Sequence, residues 1–261
     1  MNVFYLAPDF RARLGGRDGF DDVLNLQGEV IRQVATRRTS RIECGGRRYF
    51  IKAHFGVGWT EILKNLVTLK LPVLSALNEV RAIERAGELS IAVPRVVGYG
   101  ARGGNPARIE SFVVTEDLGD TLTLEQLTEN WKHAPPAPRF KWQLIAQVAE
   151  IARRLHQGGV NHRDFYICHF RRYRDGREDR LYLMDLHRAQ LRKTVPRRWL
   201  IKDLGGLYFS SLDIGLTHRD RLRFLKAYRQ RPLRAVLAEE SSFWTRVVRR
   251  GERLYGKAHR L

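Results

Sequence analysis

Three strand-like segments near the start of the chain constrain its fold more than any other feature. Residues 29–34 and 39–43 alternate apolar and polar side chains, and residues 48–53 follow after the turn formed by residues 44–47, which contains Gly45-Gly46. A period of two is typical of half-buried strands, and glycine adopts the positive φ that a tight turn needs. The sequence therefore predicts an antiparallel three-stranded meander whose last strand carries Lys52.

The remainder of the chain divides into a mixed part and a mainly helical part. Residues 59–71 and 75–88 have helical spacing, with Pro72 between them, and Glu79 lies on the second helix. Residues 93–100 and 110–115 are predicted as two further strands. The predicted helices after them are 121–131, 140–156, 202–212, 217–229, 233–238 and 243–255, with short strands near 168–170 and 181–184.

These patterns together predict an α+β fold in two lobes. The first, residues 1–115, contains an antiparallel sheet with helices, and the second, residues 116–261, is mainly helical. A hydrophobic fraction of 43% and an aromatic fraction of 10% indicate a folded globular protein and argue against disorder.

The sequence also indicates where such a chain resides. It has no run of about 18 apolar residues, so we expect no transmembrane helix. Its first residues include Asp9 and Arg11, which argues against a secretory signal. Two cysteines, Cys44 and Cys168, are too few and too far apart for a disulfide framework or a cysteine-built metal site. A cytoplasmic location is the simplest interpretation.

The charge of the chain is strongly positive. Lysine and arginine total 47 against 28 acidic residues, which gives a formal net charge of +19. A basic surface of this size attracts nucleic acid, anionic lipid or an acidic protein, and composition alone does not choose among them. A solvated basic surface without a dedicated partner is the plainer alternative.

Two aspartates in the second half have the spacing that phosphoryl transfer requires. His162-Arg163-Asp164 follows the predicted helix 140–156, and Asp185 follows the apolar strand 181–184. In phosphoryl transfer one carboxylate orients the attacking hydroxyl and another holds the Mg²⁺ that bridges the phosphates. A three-residue motif also occurs by chance. Two alternatives therefore remain open. Asp164 could be a loop carboxylate paired with Arg163, and Asp185 could be a turn residue.

Lys52 and Glu79 supply the other elements of a kinase site. A half-buried strand lysine needs a counter-charge, and a glutamate on the following helix can provide it. In kinases such a pair orients the lysine toward the nucleotide phosphates. The alternatives are that Lys52 is an exposed lysine on an edge strand and that Glu79 is an ordinary solvated helix residue. Glu116-Asp117-Leu118 lies where a kinase chain crosses between lobes, so the backbone at Glu116 and Leu118 is predicted to bind adenine.

Several long motifs carry a more specific signal. They are TRRT (36–39), YFIK (49–52), LPVL (71–74), NHRD (161–164), YICHF (166–170), MDLHRAQ (184–190), PRRW (196–199), KDLGGLYFSSLDIGLTHRD (202–220) and RFLKAYRQRPLR (223–234). With them the chain resembles the lipopolysaccharide core heptose (I) kinase family over nearly its whole length. The resemblance implies a protein-kinase-like fold, ATP and Mg²⁺ as cofactors, and phosphorylation of the first heptose of the inner core.

The resemblance also assigns roles to residues. Lys52 would bind phosphate and Glu79 would hold Lys52. Asp164 would be the catalytic base, with His162 and Arg163 in the same motif, and Asp185 would be the metal ligand.

Three features depart from the general kinase pattern. Thr36, Arg37, Arg38 and Thr39 replace the usual glycine-rich turn, so the side chains of Arg37, Arg38 and Thr39 are candidates for nucleotide binding. His169 stands where kinases usually have an asparagine metal ligand. Because imidazole is a poorer ligand for Mg²⁺ than oxygen, we expect His169 to hydrogen-bond Asp164 or a phosphate. Leu186-His187 follows Asp185 in place of Phe-Gly, so no activation-segment switch is implied.

The acceptor of such an enzyme is anionic, which agrees with the charge of the chain. Arginine suits bidentate contact with phosphates and carboxylates. The arginines predicted to hold the acceptor are Arg171, Arg172, Arg188, Arg197 and Arg198, and a solvated basic rim is the alternative for each. Residues 59–71 or 246–257 could lie on an anionic membrane, but we expect their apolar positions to pack into the core instead.

The partners predicted on this basis are the inner-core lipopolysaccharide acceptor, an anionic membrane surface and an acidic protein, with no nucleic acid. The place of action would be the inner face of the inner membrane. Three other functions remain open. A related kinase acting on another inner-core sugar is one, since Phe165 stands where close relatives are expected to have cysteine. A pseudokinase scaffold is another. A basic nucleic-acid-binding protein would leave the order of Lys52, Glu79, Asp164 and Asp185 unexplained.

Overall fold

A computed structural model of the protein describes residues 2–34, 36–67, 75–175 and 178–259. The chain forms two compact units. The first comprises Met1–Glu84 and Pro94–Gly119, and the second comprises Arg85–Val93 and Asp120–Leu261. None of the helices within the described residues is long and apolar enough to cross a membrane.

A six-stranded antiparallel sheet forms the basis of the first unit. Its strands are β1 (Asn2–Leu6), β2 (Glu29–Val34), β3 (Arg37–Cys44), β4 (Arg47–Phe55), β5 (Val96–Arg102) and β6 (Glu110–Glu116). The helices that accompany them are α1 (Pro8–Arg13), α2 (Phe20–Leu24), α3 (Gly58–Val67) and α4 (Leu77–Glu88), of which the last four residues count with the second unit. In space the strands run in the order β1-β5-β6-β4-β3-β2.

The position of Lys52 follows from the alternation along β4. Tyr49, Ile51 and Ala53 are buried and pack in the same core as Phe10 of α1. Successive strand side chains point to opposite faces, so Lys52 lies on the face away from that core. Because β4 pairs with both β3 and β6, Lys52 sits on an internal strand with Thr39 and Val113 as its register partners.

Parts of the first unit differ from the sequence prediction. The alternation did not reveal β1, which pairs with β5, or the short helices α1 and α2. The sequence predicted a turn at residues 36–39, but the last three of these residues belong to strand β3. Arg37 pairs with His54 in the ladder, so β3 begins there. The predicted end of the helix at 68–71, Pro72 and the LPVL motif lie outside the described residues.

The second unit contains long helices and small sheets. Its elements are β7 (Leu122–Thr123), α5 (Leu124–Thr128), α6 (Pro138–Gln157), β8 (Val160–Asn161), β9 (Phe170–Asp175), β10 (Glu178–Leu183), β11 (Gln190–Leu191), α7 (Arg197–Ser210), α8 (His218–Arg229) and α9 (Leu233–Ala258). Strands β10, β9 and β7 form one antiparallel sheet, and β11 pairs with β8. The α+β class, with an antiparallel sheet first and helices after it, is confirmed.

The C-terminal helix is longer than the sequence predicted. Two helices were expected at 233–238 and 243–255, but α9 is continuous: Glu239, Ser241 and Ser242 are exposed, and Glu240 pairs with Arg229 of α8 at 2.7 Å. The inner side of α9 packs against α7, where glycines allow close approach. A Cβ on Gly251 would lie 2.4 Å from Tyr208 Cδ1 and 3.1 Å from the Gly205 carbonyl oxygen. Helix α7 begins at Arg197, not at Lys202, with an exposed basic first turn.

Candidate active site

Helix α7 holds the loop that carries the His162-Arg163-Asp164 motif. Asp203, in the middle of this helix, is fully buried. Its Oδ2 accepts the backbone N–H of His162 at 2.6 Å, and its Oδ1 accepts that of Arg163 at 2.9 Å. Arg163 has a φ of 75°, an uncommon conformation for a non-glycine residue. The two hydrogen bonds to one charged group therefore fix the backbone immediately before Asp164.

His162 supports the loop from inside. It is 0% exposed, its Nε2 donates to the Met184 carbonyl oxygen at 2.9 Å, and its ring stacks on His169 with centroids 5.6 Å apart. Burial is the main cause that lowers the pKa of His162, which favours the neutral imidazole that donates one hydrogen bond. His162 thus positions the loop and does not reach solvent. The sequence analysis had grouped it with the predicted catalytic residues because it shares their motif.

Asp164 is paired with a cation from the neighbouring loop. Arg188 Nη1 lies 3.0 Å from Asp164 Oδ1 and 2.9 Å from Oδ2. Both carboxylate oxygens therefore accept from the same nitrogen. The Asp164 side chain is 18% exposed and that of Arg188 39% exposed, so the pair is partly open to a second molecule.

His169 links the backbone of Asp164 with the side chain of Asp185. Its Nδ1 lies 2.6 Å from the Asp164 carbonyl oxygen, and its Nε2 lies 3.6 Å from Asp185 Oδ2. Asp185 has a left-handed backbone (φ 60°, ψ 48°), and its Oδ1 lies 2.8 Å from His187 Nδ1. The structure thus brings together Asp164, His169 and Asp185, three residues that the sequence separates by up to 21 positions.

A partly exposed carboxylate near the Asp164 loop is a ligand of the kind that Mg²⁺ uses. Among the described residues no group of three or more His, Cys, Asp or Glu side chains could hold a metal ion. Mg²⁺ usually binds through one or two carboxylates and completes its shell with water and substrate phosphates. Asp185, whose side chain is 35% exposed, is the residue that would hold it. It would there neutralise charge on the phosphates.

In the first unit, Lys52 and Glu79 form an ion pair. Lys52 Nζ lies 2.7 Å from Glu79 Oε1, and the Glu79 side chain is 5% exposed while that of Lys52 is 27% exposed. A carboxylate that is nearly buried needs a charged partner, so Glu79 fixes the lysine in one position. The ammonium remains accessible enough to contact a further anion.

The other predicted nucleotide residues of this unit have various neighbours. Arg38 donates to the Leu24 carbonyl oxygen at 2.9 Å, so its guanidinium stabilises the unit itself. Arg37 and Thr39 are ladder residues of β3. Glu116 accepts from Arg95 at 3.0 Å, and Leu118 is half-buried in the segment that follows β6.

The predicted acceptor arginines have different partners in the structure. Arg188 reaches Asp164, but Arg172 makes a bidentate ion pair with Asp179, at 2.7 and 2.6 Å. Arg171 donates to Thr121 Oγ1 at 3.0 Å. Arg197 lies over the ring of Phe243 and Arg198 over that of Trp199. Arg172 is thus paired within the protein, and its role toward an acceptor stays a prediction.

Sequence reasoning missed Asp203 and Lys202. Asp203 stands at a helix position flanked by Leu200, Ile201, Leu204 and Leu207. A carboxylate among apolar residues of one helix is a signal for a buried hydrogen-bonding role. Burial, with Arg163 and Arg188 nearby, lowers the pKa of Lys202 to about 8, which places it at the same site.

Comparison with known proteins identifies the family. Residues 21–228 match the model of the lipopolysaccharide kinase (Kdo/WaaP) family. The chain belongs to this family. The resemblance stated from the motifs is thereby confirmed, and the family is one of kinases.

Individual relatives match over nearly their whole length. The lipopolysaccharide core heptose(I) kinase WaaP of Pseudomonas aeruginosa is 49% identical over 98% of this chain and 97% of its own. The protein of the same name from Escherichia coli K12 is 46% identical, covering 94% of each chain. A solved structure of WaaP in complex with acyl carrier protein has a TM-score of 0.83 and 43% identity, covering 97% of this chain and 99% of that one.

Replacing Asp203 tests whether this carboxylate holds the loop. We expect Asp203→Asn to lower the free energy of unfolding by about 2 kcal/mol, since hydrogen bonds to charged groups contribute roughly 1.5–3 kcal/mol. Hydrogen exchange at the His162 and Arg163 amides should also become faster. Urea unfolding and exchange mass spectrometry measure the two effects. Asp120→Asn, which changes an exposed carboxylate of the same unit, is the control. Unchanged exchange at the two amides would contradict the role of Asp203.

Proposed function

We propose that the protein is an ATP-dependent kinase that phosphorylates the first heptose of the lipopolysaccharide inner core. The observation that carries the proposal is the contact of His169 with both Asp164 and Asp185. It occurs in a chain that matches curated heptose(I) kinases over nearly its full length. Two carboxylates with separate surroundings suit the two separate tasks of phosphoryl transfer.

Each residue of the site would have a defined task. Asp164 would accept the hydrogen bond of the attacking heptose hydroxyl, and Asp185 would hold Mg²⁺ at the phosphates. His169 would help to position the loop through its hydrogen bond to the Asp164 carbonyl oxygen, with Asp185 beside its other ring nitrogen. In the first unit, Lys52, fixed by Glu79, would contact the nucleotide phosphates. Catalysis of this kind depends on positioning and charge, and the buried Asp203 supplies the positioning of the loop.

The substitution Asp164→Asn tests the assignment of the base. The amide has the shape of the carboxylate but cannot accept a proton, and loss of a general base costs about 10²–10⁴-fold in rate. We expect kcat to fall by this factor, with unchanged unfolding and unchanged ATP binding, in an assay that follows phosphate transfer to purified core lipopolysaccharide. Asp120→Asn, an exposed carboxylate of the same unit, should retain wild-type turnover. A wild-type kcat in Asp164→Asn would show that another group is the base.

The same assay separates the alternatives. Mass spectrometry of the product locates the new phosphate, and a phosphate on another sugar would indicate a related inner-core kinase. No turnover with any core acceptor would favour a scaffold without activity. Tight, salt-dependent binding of DNA or RNA without phosphate transfer would favour the nucleic-acid alternative.

We also propose acyl carrier protein as a partner, because the solved WaaP structure that resembles this chain is a complex with that protein. An apolar cavity of about 480 Å³ lies within the second unit, among α6, α7, α8 and α9, and its lining includes Val148, Leu207 and Trp244. This volume is within the range of small-molecule pockets. It would receive the acyl chain, while the basic second unit would attract the acidic carrier.

Binding measurements with purified components test this partnership. The acylated carrier should form a stable complex in native mass spectrometry, and the unacylated carrier should bind more weakly. Ile214→Trp, which fills the half-exposed edge of the cavity, should reduce binding of the acylated form alone. Leu191→Trp, an exposed apolar residue outside the cavity, is the control. If Ile214→Trp binds the acylated carrier as tightly as wild type does, the acyl chain does not enter this cavity.

The third proposal is that α3 contacts the inner face of the inner membrane. Trp59, Leu63 and Val67 lie four residues apart along this helix and are 55%, 57% and 83% exposed. The expectation that these positions pack into the core is therefore wrong. An exposed apolar row on one face of a helix suits insertion into a lipid surface, and the acceptor named for the relatives is itself a lipopolysaccharide.

Vesicle binding measures this contact. The double variant Trp59→Ser/Leu63→Ser should lose most of its co-sedimentation with vesicles of anionic phospholipid. Val3→Ser, an exposed apolar position on β1 of the same unit, should retain it. Equal sedimentation of both variants would show that α3 does not bind lipid.

A further inference from the structure

A group of cations surrounds one tryptophan ring at the start of α7. Lys202 Nζ lies 5.1 Å from the centroid of Trp199, and the guanidinium carbons of Arg163 and Arg192 lie 5.7 and 5.8 Å from it. Cation–π attraction acts within about 6 Å. The ring therefore gathers positive charge beside the Asp164–Arg188 pair.

Among the described residues, no carboxylate forms an ion pair with Arg163 or Lys202. Arg163 is 5% exposed, and its Nε is buried without a hydrogen-bond partner. Lys202 is half-buried, and its ammonium has no hydrogen bond or ion pair within the part of the chain that the structure describes. The two carboxylates nearby are already engaged, Asp164 with Arg188 and Asp203 with two backbone N–H groups. A buried cation without a partner is costly, so this arrangement indicates a site for an anion.

We propose that Arg163, Arg188 and Lys202 form an anion site on Trp199 for an oxyanion group of the acceptor, and that Arg188 leaves Asp164 when this group binds. The proposal deepens the kinase function above and rests on it. Because both oxygens of Asp164 accept from Arg188, the acceptor hydroxyl competes with Arg188 for the same carboxylate. An incoming oxyanion gives the guanidinium another partner and makes Asp164 available only when the acceptor is present.

The position of the cations favours the acceptor over the nucleotide. Arg188 contacts the side-chain carboxylate of Asp164, whereas His169, which approaches Asp185, contacts the backbone carbonyl of Asp164. The metal-bound phosphates belong on the Asp185 side. The hydroxyl that reacts must reach the carboxylate, and therefore arrives beside Arg188 and Lys202. An oxyanion there comes from the acceptor molecule, either as a sugar carboxylate or as a phosphate of its lipid part.

The titration of Lys202 supplies a readout that a merely structural role would not give. Burial lowers its pKa to about 8. The charged groups that face it are Arg163 and Asp164 of the loop, Arg188 of the next loop and Asp203 of its own helix. From α9, Arg250 packs on Gly205, three residues farther along α7. Since only the protonated amine attracts an anion, acceptor affinity should fall as pH rises through about 8.

Kinetics of three variants test the site. Lys202→Met should raise KM for the acceptor about tenfold or more while leaving KM for ATP within about twofold, because a charge-assisted hydrogen bond is lost. In wild type, kcat/KM for the acceptor should decline above pH 8. Lys202→Arg stays charged and should remove this decline. Lys132→Met removes an exposed lysine of the same unit and should change neither KM. An unchanged acceptor KM in Lys202→Met, or a decline that persists in Lys202→Arg, would overturn the proposal.

Direct binding separates this proposal from the kinase function. Isothermal titration of the nucleotide-free protein with inorganic phosphate should show binding to wild type that is at least tenfold weaker in Lys202→Met. If Lys202→Met weakens phosphate binding but the wild-type protein shows no kinase activity, the anion site is supported and the proposed kinase function is rejected. Normal activity with equal phosphate binding by both proteins would reject the site alone.

The source of the oxyanion is distinguished by modified acceptors. Core lipopolysaccharide whose carboxylates are reduced, and core lipopolysaccharide dephosphorylated on its lipid part, are compared in the kinetic assay. The modification that removes the natural group should raise wild-type KM about tenfold and should have little further effect on Lys202→Met. If neither modification changes KM, the acceptor does not supply the anion and the proposal fails.

Discussion

The arrangement of the second unit depends on one buried carboxylate. Asp203 lies in the middle of α7 with no solvent exposure and accepts two backbone N–H groups of the loop that carries Asp164. A buried charge of this kind is tolerated only when hydrogen bonds replace its water. His156 of α6, with Nε2 3.4 Å from the same carboxylate, adds a third contact. The packing of α7 against α9 therefore sets the position of the loop, and the loop sets the position of Asp164.

The parts of the site that could be predicted from sequence are those that local patterns determine. Alternation along residues 48–53 places Lys52 opposite the core side chains, and the helical spacing after Ser75 brings Glu79 within reach. The resulting 2.7 Å ion pair needs no information beyond charge and element order. Asp164 and Asp185 were likewise marked by the elements that precede them. Their connection through His169 was predicted only in part, as a hydrogen bond to Asp164, because the distance to Asp185 depends on how two loops pack.

What could not be predicted depends on partners distant in the chain. Strand β1 has few residues and exposed side chains, and pairing with β5 is what defines it. The polar residues 239–242 suggested a break, but the buried positions on either side keep one helical face against α7. The partners of the arginines are a further example, because the residue type predicts a positive charge but does not predict which group pairs with it. Arg172 meets Asp179 across a hairpin, whereas Arg188, with the same side chain, meets Asp164.

The distribution of positive charge in this unit has a thermodynamic consequence. Arg172 is paired within the protein, so its desolvation is offset when the chain folds. Arg163 and Lys202 are buried or half-buried beside carboxylates that already have other partners, so their desolvation opposes folding. A ligand that binds only the folded state returns free energy in proportion to the logarithm of its concentration over Kd. Cations of this kind thus lower the stability of the free protein and attract an anion that stabilises the complex. The loop that carries Asp164 thus combines a backbone held by Asp203 with the positive charge of Arg163, Arg188 and Lys202, which in our proposal a bound oxyanion balances.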